Sequence, residues 1–291
     1  MSACAAASDR PPSGAALARR AGAALAVVLA LFGTAHAETP ARVVSMNLCT
    51  DQLALLLADP GQIVSLSYMA SDPSASAMAA EAAAYPSNRG RAEELYLLKP
   101  DLVLASTFSS PGTLSMLNRL GLRVETYPPG ATMEELRQAI TDMGAALGQP
   151  QRAAALLADF DAQLAALSAP PLRRPRAALY SEGSYASGAR TLEGQVMQAA
   201  GFDNIATEHG LDWGGRMPLE VLVMSAPEVV ITETGRPGTK RARAQAVLSH
   251  PAMAQMRRAD VVAHQDWICA TPRVLDAIAA LTQLRRQMER E

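Results

Sequence analysis

A twelve-residue unit occurs twice in this chain, and its two copies lie 127 positions apart. The first is Glu93-Glu94-Leu95-Tyr96-Leu97-Leu98-Lys99-Pro100-Asp101-Leu102-Val103-Leu104. The second is Glu220-Val221-Leu222-Val223-Met224-Ser225-Ala226-Pro227-Glu228-Val229-Val230-Ile231. The offset is the same at the glutamate (220 − 93) and at the proline (227 − 100). Each copy reads as a short helix with an acid in its first turn, a proline that forces extended backbone, an acid, and an apolar strand. Solenoid repeats recur every ~20–50 residues, so a separation this long means a duplicated lobe. One glutamate at a helix start is explained by the helix dipole alone. Two at matched positions point to a pseudo-symmetric partner that reads both.

The pattern around each copy alternates strand-like with helix-like runs, as parallel α/β layers do. Strands are predicted at 43–46, 63–66, 101–105 and 122–125, then at 176–180, 229–232 and 260–263. Helices are predicted at 50–58 with Thr50 as cap, 75–84, 93–98 and 114–120, then at 192–200, 218–225, 242–248 and from a Thr271 cap to about Met288. Between the halves, Leu136, Ile140, Met143 and Leu147, then Leu156, Phe160, Leu164 and Leu167, repeat at helical spacing. Residues 132–169 therefore hold a long helical stretch without a strand, broken where Gly148 and Pro150 stop one helix and start the next.

Arg19-Arg20, the thirteen-residue apolar run 21–33 and the Ala-x-Ala ending at Ala37 have the form of a secretory signal peptide. The run is short of the ~20 residues that span a bilayer. The expectation is cleavage after Ala37, a periplasmic mature protein and no stable membrane insertion. The formal charge of −2 removes the electrostatic case for nucleic-acid binding. The organisation read from these features is a signal peptide (1–37), an N-terminal α/β lobe (38–130), connecting helices (131–170) and a C-terminal α/β lobe (171–291).

With the repeat, the opening strand Arg42-Val43-Val44-Ser45 and the intervening helices, the chain resembles the periplasmic substrate-binding proteins of ABC importers for iron–siderophores, haem and vitamin B12. The resemblance covers about residues 42–284. It implies two Rossmann-like lobes with parallel sheets, joined by a long rigid helical connection, with ligand in the cleft between them. It further implies a monomeric, non-enzymatic receptor serving an ABC permease dimer with its ATPase subunits. By position, Glu93 and Glu220 are the residues that would dock on permease arginines.

In parallel α/β lobes, ligands sit outside the carboxyl ends of the strands. The loops there hold Tyr68, Phe108, Tyr185, Trp213 and Trp267, with Arg89, Arg190, Arg216 and Arg236. Aromatics are only 4% of the chain, so their concentration in these loops is informative. Flat rings cover ligand area at low entropy cost, and arginine pairs with carboxylates or catecholates. Cys49 and Cys269 fall one per lobe on this side. They either join as a disulfide or stay as separate thiols, with direct ligation behind both. His209, His250 and His264 form no metal-ligand spacing, so no dedicated metal site is expected. A haem axial ligand from one Tyr or His stays open. The expected ligand is a small metal chelate, a ferric siderophore first on the arginine count and a corrinoid such as cobalamin second. An exported serine or thiol hydrolase is the rival, but no Gly-x-Ser-x-Gly elbow supports it.

Overall fold

The protein is described over residues 39–168, 170–234 and 247–291 in a computed structural model. The signal-peptide reading and helix 242–248, up to residue 246, lie outside those residues. Short apolar runs with almost no polar side chains become central strands because both of their faces are covered. Thus β1 (Val43–Ser45) and β4 (Leu102–Ser106) are buried along their whole length, and β2 (Ile63–Ser67) nearly so. With β3 (Ser87–Asn88) and β5 (Val124–Tyr127) they make a parallel sheet in the order β3-β2-β1-β4-β5. The order reverses between β1 and β4, the topological switch point at which such sheets open a crevice. The intervening helices are α1 (Leu48–Leu57), α2 (Ala79–Ala82), α3 (Ala92–Leu97) and α4 (Pro111–Arg119).

The second sheet contains β6 (Arg176–Ser181), β7 (Tyr185–Ala186), β9 (Gly215–Arg216), β10 (Val229–Thr234) and β11 (Arg258–Ala263), in the order β11-β10-β6-β7-β9. β8 (Asp203–Asn204) pairs with β6 off that path. Parallel pairing holds for β11, β10, β6 and β8, whereas β7 pairs antiparallel with both β6 and β9. This second sheet is mixed, unlike the all-parallel expectation, because the chain doubles back after β6 through the left-handed Gly183. Helices α7 (Leu192–Ala199), α8 (Leu219–Met224) and α9 (Val274–Met288) complete this half.

Two helices connect the sheets, α5 (Met133–Ala146) and α6 (Pro150–Leu167). The Thr132 side chain caps α5 by accepting from the Glu135 amide, and Pro150 opens α6. Their buried Leu136, Ile140, Met143 and Phe160 belong to one core cluster with Leu104 of the first sheet, Leu179 of the second and Ile278 of α9. The connection is therefore packed into the core on both sides, which makes it stiff.

The duplicated unit forms a duplicated latch. Lys99 and Ala226, again 127 apart, both take left-handed backbone (φ 48° and 44°) where helix turns into strand. The acid after each proline then binds the start of the neighbouring strand. Asp101 Oδ2 accepts from the amides of Ala41 (3.0 Å) and Arg42 (2.9 Å), and Glu228 Oε1 accepts from the Arg176 amide (3.0 Å). In return the Arg42 guanidinium donates to the Lys99 carbonyl (3.0 Å), and that of Arg176 to the Ala226 carbonyl (3.3 Å). The Pro-acid pair is thus structural, and a longer glutamate in the second copy performs the same task.

Three local expectations change. Asn47, not Thr50, caps α1, its side chain accepting from the Cys49 amide, and Thr50 turns its hydroxyl to Ser45 (2.7 Å). The alanine-rich 75–84 run is helical only over α2, because an even alanine distribution offers no apolar stripe to bury. The last helix begins at Val274, with Thr271 and Pro272 in the turn before it.

Candidate functional site

The carboxyl end of the first sheet carries three of the expected side chains. Tyr68 follows β2, its amide held by the Asn88 carbonyl (2.8 Å), and the Arg89 guanidinium lies 5.6 Å from its ring centroid. Phe108 follows β4, and its amide is fixed by the Ser106 hydroxyl (3.1 Å) while the ring stands 81% exposed. Both loops flank β1 and the switch point.

On the second sheet the antiparallel pair β7 and β9 gathers another group. Tyr185 lies opposite Arg216 in the β7–β9 register, and its hydroxyl donates to the Trp213 carbonyl (3.4 Å). The Arg190 guanidinium sits 4.6 Å from the Trp213 ring centroid, a stacking distance. Gly214 allows this approach: its φ is +81°, and a Cβ there would meet the Tyr185 hydroxyl at 2.3 Å. Trp213 keeps 56% of its surface exposed. No hydrogen bond or ring contact joins this group to Tyr68 or Phe108 among the described residues.

A disulfide ties the two halves together. Cys49 and Cys269 form it (S–S 2.11 Å, Cα–Cα 5.1 Å) between the first turn of α1 and the loop before α9. Beside it the Thr271 hydroxyl donates to Gln52 Oε1 (3.4 Å), and Arg273 pairs with Glu81 (3.4 Å). Gly130, at φ +74°, runs so close that a Cβ would meet the Ala270 side chain at 2.2 Å. Two residues after Cys49, Asp51 is fully buried and accepts from the amide (3.1 Å) and hydroxyl of Ser67. Burial pushes its carboxyl up to about 6, against the opposing pull of hydrogen bonds from Ser45 and Ser67.

A family model for periplasmic binding proteins matches residues 43–259, well over half of the chain. The chain is a periplasmic binding protein. Its fold neighbours agree. The vitamin B12 binding protein BtuF of Vibrio cholerae superposes with a TM-score of 0.59 at 19% identity, covering 87% of this chain and 99% of that one. The haem-binding protein HutB of the same organism gives 0.67 at 21% identity over 85% and 98%. A periplasmic haem-binding protein from Pseudomonas aeruginosa gives 0.64 at 24% identity over 84% and 92%. A cobalamin-binding protein of Halobacterium salinarum is 29% identical over 199 residues, 66% of this chain and 54% of its own length. The chain thus spans about half the length of that curated relative. Each of these is a binding protein, and the family to which this chain belongs is one of binding proteins rather than enzymes. Among the described residues no helix is long and apolar enough to cross a membrane.

In this binding protein Trp267 is not a cleft wall. It is 2% exposed, and its indole N–H donates to Glu233 Oε1 (2.9 Å), whose other oxygen pairs with His264 Nδ1 (2.8 Å). The partly buried carboxylate partner holds the indole edge, and the surrounding core closes over the ring. Arg236 lies outside the described residues. Glu93 and Glu220 both stand exposed in the first turns of α3 and α8, as their positions in the repeat require. Sequence reasoning missed Asn47, Asp51 and the Glu233–His264 pair. The rule that selects carboxyl-end loops reached the segments holding Asn47 and Glu233, but loop position does not tell which side chains turn inward.

Proposed function

We propose that this binding protein captures a broad, flat metal chelate between its lobes and delivers it to an ABC permease. A corrinoid comes first and a ferric siderophore second. The observation that carries the reading is an exposed aromatic–guanidinium stack in each half, Tyr68 with Arg89 at the carboxyl end of the first sheet, where such folds bind ligands, and Trp213 with Arg190 beside β7 and β9 of the second. Stacked guanidinium groups widen a flat surface while keeping their N–H edges for amides or carboxylates at a macrocycle rim. The cobalamin-binding relative and the haem- and B12-binding fold neighbours support the same class. The siderophore reading keeps its place through the positive charge of Arg89, Arg190 and Arg216, which suits an anionic catecholate complex. Delivery rests on Glu93 and Glu220 as permease-docking residues, and export to the periplasm on the sequence 1–37.

Calorimetric titration of the mature protein with cyanocobalamin, hemin and a ferric catecholate tests this reading. Saturable binding of cyanocobalamin, weakened about tenfold or more by Trp213→Ala, is expected, since a central aromatic anchor contributes about 1.4 kcal/mol or more. Binding of none of the three would overturn it. A ferric catecholate preferred over cyanocobalamin would reverse the order.

A further inference from the structure

The duplicated unit repeats more than its glutamate. Leu95 of α3 and Leu222 of α8, 127 apart, are both fully buried and pin their helices to the sheets. On the opposite side, three and four residues after each glutamate, stand Tyr96 and Leu97 in α3 and Val223 and Met224 in α8. Residues at i, i+3 and i+4 share one helix face. All four apolar side chains are exposed, and Leu97 (77%) and Met224 (84%) are almost bare. Neither helix contains a basic residue. Beside the α8 face runs a groove of about 650 Å³ bordered by Arg216, Glu220, Val223, Met224 and His250.

One exposed leucine needs no explanation, but matched apolar doublets beside matched acids in two lobes do. We propose that Glu93 with Tyr96–Leu97, and Glu220 with Val223–Met224, are equivalent halves of a docking surface for the two-fold related subunits of a membrane permease. This rests on the reading of the two glutamates as permease-docking residues and adds the apolar contact that supplies most of the affinity. The acids set register and orientation, because exposed charge pairs contribute little net energy but steer and select. The apolar doublets supply affinity by leaving water, and the α8 groove receives a side chain from one subunit. The occupant carries basic groups opposite the acids. A second copy of this chain would set acid against acid, and an anionic lipid surface would repel both faces.

The test uses the mature receptor and its permease–ATPase complex in phosphatidylcholine nanodiscs, with Kd read by interferometry at two salt concentrations. Leu97→Ser/Met224→Ser is expected to weaken binding about 100-fold, each single variant about tenfold, because each removes one buried apolar side chain from the contact. Melting temperature and cyanocobalamin affinity should not move. Glu93→Ala/Glu220→Ala should weaken binding less at high salt than at low salt, while the apolar variant loses affinity equally at both. If the glutamate variant weakens binding and the apolar variant binds like wild type, the apolar role is wrong and glutamate docking stands. If neither variant weakens binding, the docking reading itself fails. Wild-type binding to phosphatidylglycerol vesicles, or concentration-dependent self-association, that the apolar variant abolishes would also overturn the proposal.

Discussion

Breaking the Cys49–Cys269 disulfide should cost this protein a large part of its stability. The bond closes a loop with a sequence separation of 220, so the unfolded chain is restricted over nearly the whole described length. The chain-entropy relation, −2.1 − 1.5R ln n, gives about −18 cal/mol/K for a loop of that size, or about 5 kcal/mol at 25 °C. For a chain of roughly 250 residues each kcal/mol shifts the melting temperature by about 2–4 °C, so a drop of about 10–20 °C is expected. Calorimetry of Cys49→Ser/Cys269→Ser against wild type, with and without reductant, measures it. Reduced wild type should melt with the double variant, and reductant should not move the double variant further. A double variant melting within about 2 °C of oxidised wild type would refute the reasoning, since the constraint would then have no thermodynamic weight.

Other perturbations test separate parts of the structure. Because burial raises Asp51 to about 6 from 3.8, its carboxyl is neutral in both states below about pH 4 and ionises in the unfolded chain first. The stability it contributes when neutral is therefore lost as pH rises from about 4 to about 6, up to about 3 kcal/mol at 1.36 kcal/mol per unit. Urea unfolding across that window should show this fall in wild type and a flatter profile in Asp51→Asn, and an unchanged slope would contradict it. Gly130→Ala forces a Cβ onto Ala270 in left-handed backbone and should destabilise by about 2–4 kcal/mol, read as a lower denaturation midpoint. Asp101→Ala removes two charge-assisted bonds to the residues leading into β1 and should cost about 1–2 kcal/mol, whereas Glu93→Ala should leave stability within about 0.5 kcal/mol. Equal losses in both variants would deny the division between latch and docking residue.

What could be read in the sequence follows from how each element is buried. β1, β4 and the start of β10 are covered on both faces, so they appear as short runs with almost nothing polar. α5 has one covered face and shows it at Leu136, Ile140 and Met143. The β7–β9 pair left no such trace, because two-residue strands carry no periodicity and depend on close backbone approaches at Gly188 and Gly214. Site residues were harder still. Trp213 and Trp267 occupy comparable loops, and only the partners decide: a guanidinium stacks on one, while a carboxylate holds the other inside. For the two cysteines, sequence left pairing open, and a Cα separation of 5.1 Å closes it.

The disulfide between the halves has a consequence for traffic at the membrane. With the two halves cross-linked and sharing one core with the connecting helices, a receptor of the kind proposed is expected to change little between empty and loaded states. Its two outer helices then look the same to a permease whether or not cargo is aboard. Empty receptor is therefore expected to compete with loaded receptor for the same transporter. Uptake in reconstituted vesicles at fixed cargo should rise, pass through a maximum and decline as receptor is added in excess, whereas a receptor that signalled its load by closing would give a plateau.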